Sequence, residues 1–181
     1  PVLRRVCVLG SSPLPAKRGE VKEESMSKST PATLALQKAG VAFTLHEYAY
    51  DPNAERIGMQ AAEALGVEPA RLLKTLMARA DNEIVCVLVP SDREVSLKKL
   101  AAAACAKSAA MCGAAEAERV TGYHVGGISP FGQKKRVRVF VERAALNYPN
   151  VIVNGGRRGL QAELAADDLV RVLNATAEEL C

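Results

Sequence analysis

The chain has 181 residues, 49% hydrophobic and only 4% aromatic, with no tryptophan, which suits one compact domain whose core rests on many small aliphatic contacts. Its formal charge of +4, half of it carried by residues 1–25, is too small for bulk attraction to a polyanion, so any nucleic-acid contact must come from local clusters. Five scattered cysteines (Cys7, Cys86, Cys105, Cys112, Cys181) with no C-x-x-C pair and two histidines argue against a disulfide framework or a zinc site, and no apolar run approaches the roughly 18 residues that span a bilayer. These features point to a reducing, cytoplasmic setting with no membrane partner.

Residues 1–25 lack any sustained period and contain an SSPLP stretch followed by the mixed-charge run KRGEVKEE, the composition of a mobile extension. The domain is then expected over 26–181. A helix is predicted up to Gly40, with Ser29 or Thr30 as its cap and Pro31 at its first position. Alternation of Val41, Phe43 and Leu45 with polar partners predicts a half-buried strand ending near Tyr48. A short helix over 60–65 stops at Gly66, and another is expected over 68–72.

Thr75 to Ala80 and Glu83 to Val89 read as a central hairpin around Asp81-Asn82, and the unbroken IVCVLV run reads as a strand covered on both faces. An Ala- and Lys-rich helix over 96–105 and a shorter one over 114–120 lead into a loop at 122–130. Arg136 to Arg143, which alternates apolar and basic residues, is expected as an edge-like strand, Val151 to Val153 as another strand and Asp167 to Leu173 as the last helix.

The common catalytic signatures are missing: there is no G-x-S-x-G, H-E-x-x-H, G-x-x-x-x-G-K or dinucleotide fingerprint. Three segments stand out instead. Lys74, in LLKTLMA, is either a strand-end lysine snorkelling to water or a partly desolvated cation serving as clamp or proton donor. Gly126 and Gly127 are either punctuation of a tight loop or the means of bringing main-chain N–H groups to a developing oxyanion. Gly155 and Gly156 pose the same choice. Lys134, Lys135 and Arg136, with Arg157 and Arg158, are either a solvated basic surface or phosphate contacts. No cysteine has a histidine beside it, so no nucleophile is assigned.

Taken in order, STPATLALQKAGVAFTLHEY, LLKTLMA, VTGYHVGGISPFGQKKR and VNGGRRGLQAEL resemble the YbaK-type deacylases related to the editing domain of bacterial prolyl-tRNA synthetase, over about Thr30 to Leu173. The resemblance implies a single α/β (α+β) domain with a mixed, strongly curved sheet flanked by helices. It also implies a trans-editing hydrolase that removes a mischarged amino acid, above all cysteine, from the 3′ end of tRNA(Pro) without metal or cofactor. A prolyl-tRNA synthetase is a further partner that the resemblance allows. It ties activity to Lys74 and substrate contact to Tyr48, Ile57, Thr75 and the Gly126, Gly127, Ile128, Ser129, Pro130 loop, and then to Asn154, Gly155, Gly156 and Gln161. For cysteine-specific members it implies that the substrate's own thiol attacks the ester. The chain departs from the family pattern at Ile57, often Phe, at Asn154, often Ser, and at Gln161, where Asp or Ser is familiar. Other small amino acids such as alanine, and a non-catalytic module that binds tRNA or a synthetase, are the competing readings.

Overall fold

A computed structural model describes residues 29–52 and 57–181; the extension expected over 1–25, and Met26, lie outside the described residues. Helix α1 (Pro31–Lys38) starts where the sequence predicts. The Thr30 hydroxyl accepts from the Thr33 N–H at 3.1 Å while the Thr33 hydroxyl accepts from the Thr30 N–H at 2.8 Å, which satisfies two donors that a helix start leaves unpaired. Strand β1 (Phe43–Glu47) and helix α2 (Ile57–Leu65) follow, and the helix expected over 68–72 is a single 3-10 turn at Pro69–Arg71.

Strands β2 (Leu73–Ala80) and β3 (Glu83–Pro90) form the predicted hairpin, with Asp81 in the left-handed region that such turns require. Helix α3 (Leu97–Ala104), strand β4 (Ala109–Met111) and helix α4 (Ala114–Thr121) come next. The chain ends with β5 (Arg138–Glu142), a 3-10 turn, β6 (Asn150–Asn154), β7 (Leu160–Ala165), α5 (Ala166–Leu173) and β8 (Thr176–Glu178).

The strands make a mixed five-stranded sheet in the order β4-β2-β3-β5-β8 and an antiparallel three-stranded sheet in the order β1-β7-β6. The expected mixed α/β domain is present, but its strands divide between two sheets tied by one bridge, Leu72 to Ile152. β3 is the middle strand of the larger sheet and Val85 to Val89 are fully buried. Cys86 and Leu88 face one apolar cluster with Met77, Val139 and Val141, and Val85, Val87 and Val89 face another with Leu100, Phe140 and Leu180. Fully burying a side chain of this size contributes about 1.5–3 kcal/mol, so the two-sided strand is the main apolar anchor.

One expectation needs correction, and one strand goes unread in the sequence. β5 is an interior strand, because β8 pairs with it on the side away from β3. LQAELA gave no strand signal, since Leu, Gln, Ala and Glu favour helices, yet β7 pairs on both sides and tertiary context overrides the propensity. β4 and β8, three residues each, are too short to carry a readable period.

At the end of β5, Glu142 is 3% exposed. Its carboxylate accepts from the N–H groups of Leu180 at 2.7 Å, Cys181 at 3.0 Å and Ala144 at 3.1 Å, and so fixes the segment after β8. Burial by itself pushes its pKa up, and these donors more than offset that, so the group sits below the ordinary carboxylate value. A depressed folded pKa gives stability that is present above the unfolded value, about 4.3, and is lost as pH falls through the folded one. Glu142→Gln is expected to lower stability at pH 7 by about 1.5–3 kcal/mol, the worth of hydrogen bonds to a charged group, and to flatten the acid limb. Urea melts between pH 3 and pH 7 measure both effects.

Candidate active site

A cavity of about 510 Å³ opens beside the first half of β2. Its walls come from Tyr48, from Ile57, Gly58 and Ala61 of α2, from Leu72 through Met77, and from Ser91 and Glu94 after β3. Met111 and Cys112, Ala114 and Ala117 of α4, Val125, Gly126 and Ile128, and Asn154 and Gln161 complete it. Most of these are apolar, the usual composition of a small-ligand site with a few placed polar groups.

Lys74 is the basic residue on that wall. Its side chain is 20% exposed, and its Nζ donates to the Arg93 carbonyl at 2.5 Å and to the Glu94 carboxylate at 3.1 Å. Glu94 is 80% exposed, so the ion pair stands at the mouth and the Lys74 stem passes along the wall. Gly58 makes this possible: a Cβ there would lie 2.9 Å from Ser91 Oγ and 3.3 Å from Lys74 Cγ. Ser91 cannot retreat freely, because its Oγ donates to the Leu72 carbonyl at 2.8 Å.

The opposite wall is the loop at 122–130, held in place by several side chains. Gly126 has φ +87, and a Cβ would lie 3.0 Å from the Tyr50 hydroxyl. Arg158 donates to the Val125 carbonyl at 3.0 and 2.8 Å and lies over the Tyr50 ring at 5.5 Å. Asn154 donates to the Gly126 carbonyl at 3.2 Å and accepts from the Gly156 N–H at 2.8 Å, so it clamps both glycine loops together. The Gly126 N–H has no protein acceptor among the described residues.

Burial raises the pKa of Tyr48 more than the Gln161 hydrogen bond lowers it, with Tyr50 raising and the Gly159 backbone lowering it further, so the phenol stays protonated at neutral pH. Two buried polar atoms of wall residues, Thr75 Oγ1 and Gln161 Oε1, have no hydrogen-bond partner among the described residues. Such atoms are costly in a folded interior.

Of the residues expected at the site, Lys74, Tyr48, Ile57, Thr75, Gly126, Ile128, Asn154 and Gln161 line the cavity. Gly127, Ser129, Pro130, Gly155 and Gly156 do not. The Gly127 N–H is spent on the His124 carbonyl at 2.9 Å, and a Cβ there would meet the Arg157 backbone at 3.0 Å. Ser129 is fully buried and accepts from the Phe131 N–H at 3.3 Å, and the Gly155 carbonyl takes the Thr30 hydroxyl at 2.6 Å. These hydrogen bonds lie within or beside the loop at 122–130 and the turn between β6 and β7.

The basic cluster also divides. Arg157 pairs with Glu47 at 2.5 Å and Arg158 is committed to Val125, whereas the exposed side chains of Lys134, Lys135 and Arg136 have no partner among the described residues.

Neither histidine reaches the cavity. His46 pairs with Glu163 at 2.8 Å beside Arg71, and His124 is an exposed partner of Glu118 at 3.3 Å. Cys86 is core, with burial pushing its thiol up to about 12. Cys112 does line the cavity, but burial and then the Glu116 carboxylate raise its pKa, which opposes a reactive thiolate. Gly58, Ser91, Glu94 and Met111 escaped the sequence reading. The SDRE run directly after the buried strand was the available signal for two of them.

Among the described residues no group of three or more His, Cys, Asp or Glu is placed to hold a metal ion, and no helix is long and apolar enough to cross a membrane. The geometry is that of a small α/β domain with a mostly apolar cavity of about 510 Å³ whose wall carries one lysine and a few polar side chains. Residues 51–172 match the aminoacyl-tRNA editing domain family, and the chain belongs to that family of aminoacyl-tRNA deacylases.

Over 159 residues the chain is 32% identical to EbsC of Enterococcus faecalis, described as a candidate Cys-tRNA(Pro)/Cys-tRNA(Cys) deacylase, covering 87% of this chain and 96% of that one. It is 27% identical over 138 residues to the proline–tRNA ligase of Caldicellulosiruptor saccharolyticus, covering 73% of this chain but only 24% of the ligase. The fold is shared with the crystal structure of a candidate trans-editing enzyme for prolyl tRNA synthetase, at TM-score 0.73 and 22% identity over 83% of this chain and 94% of that one. It is shared equally with the hypothetical protein APE2540, at TM-score 0.74 and 23% identity over 83% and 99%.

Gly58→Ala is expected to leave the domain folded, because alanine favours a helix by about 0.5–1 kcal/mol over glycine and offsets the contact with Ser91. The same methyl group crowds the Lys74 stem, so KM for a charged tRNA should rise at least fivefold in a steady-state deacylation assay.

Proposed function

We propose that the chain removes cysteine from mischarged tRNA(Pro), with the substrate thiol as the first nucleophile. The observation that carries this reading is a cavity wall with one lysine, no histidine and a cysteine whose thiol is held protonated. A site so furnished supplies position and charge and leaves attack to the substrate. The thiol sulfur bonds to the ester carbonyl carbon, the bond from that carbon to the ribose oxygen breaks, and the thiol proton ends on the departing ribose hydroxyl. Water then opens the released thiolactone.

Lys74 stabilises the developing negative charge and holds the terminal adenosine, and the unpaired Gly126 N–H donates to the carbonyl oxygen. Gly127 has no part in this, since its N–H is already used. Lys134, Lys135 and Arg136 meet acceptor-stem phosphates, while Arg157 and Arg158 act through the loops that they hold. The similarity to EbsC supports the amino acid and the tRNA, and the similarity to proline–tRNA ligases supports the tRNA.

The test is deacylation of tRNA(Pro) charged separately with Cys, Ala, Ser and Pro. Cysteine should be released fastest and serine far more slowly, because an alcohol is less ionised and less nucleophilic than a thiol at neutral pH. Replacing every cysteine of the chain by Ala or Ser should leave this order intact. Alanine released as fast as cysteine would instead require water as the first nucleophile. Lys74→Ala should slow all substrates by about 10²–10³, the usual cost of losing one donor to a developing oxyanion. A Lys134→Ser, Lys135→Ser, Arg136→Ser variant should bind tRNA more weakly and reduce the slope of log K against log salt by about 2–3, as expected for lost phosphate contacts; an unchanged slope would remove this surface from the interface.

A further inference from the structure

β2 is paired along its whole length with β3, but on its other side only at its ends. There the Leu72 bridge to Ile152 lies at one end and the pairs of Ala78, Arg79 and Ala80 with β4 at the other. The hairpin fixes which main-chain groups face which side. In an antiparallel pair joined by a two-residue turn, the closing residues Ala80 and Glu83 exchange both hydrogen bonds, and the alternation continues by twos. Ala78, Leu76 and Lys74 therefore turn their N–H and C=O toward β3, and Met77, Thr75 and Leu73 turn theirs away. The Met77 carbonyl accepting from the Cys112 N–H at 3.0 Å on the β4 side agrees with this parity.

Thr75 falls in the gap. No strand stands opposite it on the outward side among the described residues, and the cavity runs along β2 there between Cys112 and Gln161. Its Oγ1 is also buried without a partner. This stretch of β2 is half-buried, and its unpaired main-chain groups form an open edge, which is a template for adding another strand.

An aminoacyl ester carries the matching pattern. Its α-amino nitrogen and its carbonyl oxygen flank one Cα, as the N–H and C=O of a single strand residue do. We propose that the aminoacyl group docks as a one-residue addition to the open edge of β2. The Thr75 C=O accepts from the α-amino group, and the Thr75 N–H donates to the ester carbonyl as a second donor beside Gly126. This deepens the site reading above and rests on it. The edge recognises the main chain of an L-amino acid whatever its side chain, and leaves the apolar part of the cavity to read the side chain.

The experiment is amide-resolved NMR on the full chain with 3′-(L-cysteinylamino)-3′-deoxyadenosine, in which an amide replaces the hydrolysable ester. At saturation, hydrogen exchange at the Thr75 N–H should slow at least tenfold more than at Leu76, whose N–H is already bonded to β3. A probe lacking the α-amino group, the 3-mercaptopropionyl analogue, should bind at least fivefold more weakly. Binding that shifts Lys74 and Gly126 resonances but leaves Thr75 exchange level with Leu76, or equal affinity of the two probes, overturns the edge docking and leaves the site in place. Absence of any binding overturns the site reading and this inference together.

Discussion

The hydrogen bonding of β2 is the constraint on which the rest of the structure depends. Held by β3 throughout, the strand passes from a single bridge with β6 to a short ladder with β4, and between these two partners no described residue pairs with its outer edge. A continuous sheet would have filled that interval with another backbone. Its interruption leaves a cavity bounded by a rigid strand edge, and α2, α4 and the loop at 122–130 close the remaining sides. A rigid strand edge holds its main-chain hydrogen-bonding groups in fixed positions along that side.

The loop that faces β2 carries its own tethers. Arg158 and Asn154 tie it to the turn between β6 and β7 and Tyr50 packs against Gly126, while the Gly127 N–H is used inside the loop itself and the Gly126 N–H has no acceptor among the described residues. Arg158, which looks like a phosphate contact in the sequence, is thus part of the frame, and Arg157 is paired with Glu47. Asn154, a departure from the family pattern, is one of the clamps: its side chain bonds to Gly126 and Gly156 at once. Electrostatically the cavity is sparse. Lys74 is its cation, Glu94 balances it from solvent, and the ion pairs of Glu163 with Arg71 and His46 lie apart from its lining.

Local chemistry was legible wherever a few consecutive residues decide it. Thr30, Pro31 and Gly40 set the first helix, Asp81-Asn82 set the hairpin, and the IVCVLV run announced a strand buried on both faces, as found. Lys74 at the start of β2, and Gly126, Asn154 and Gln161 on the wall, were named from motifs that survive as short strings. Glu94, Ser91 and Gly58 were not, because each acts through a neighbour distant in the chain: Glu94 and Ser91 reach back 20 and 19 residues to Lys74 and Leu72.

The sequence by itself determined the first helix, the hairpin and the two-faced core strand, since capping, turn torsion and hydrophobic period act over a handful of residues, and its short motifs carried the family resemblance. Tertiary structure alone decided that LQAELA is a strand, that β5 lies inside the sheet, that Gly127 and Arg158 are already engaged, and that Thr75 faces an open edge. Each of these is a question of which hydrogen-bonding groups remain available. Availability depends on what the fold places opposite a residue, which no local pattern encodes.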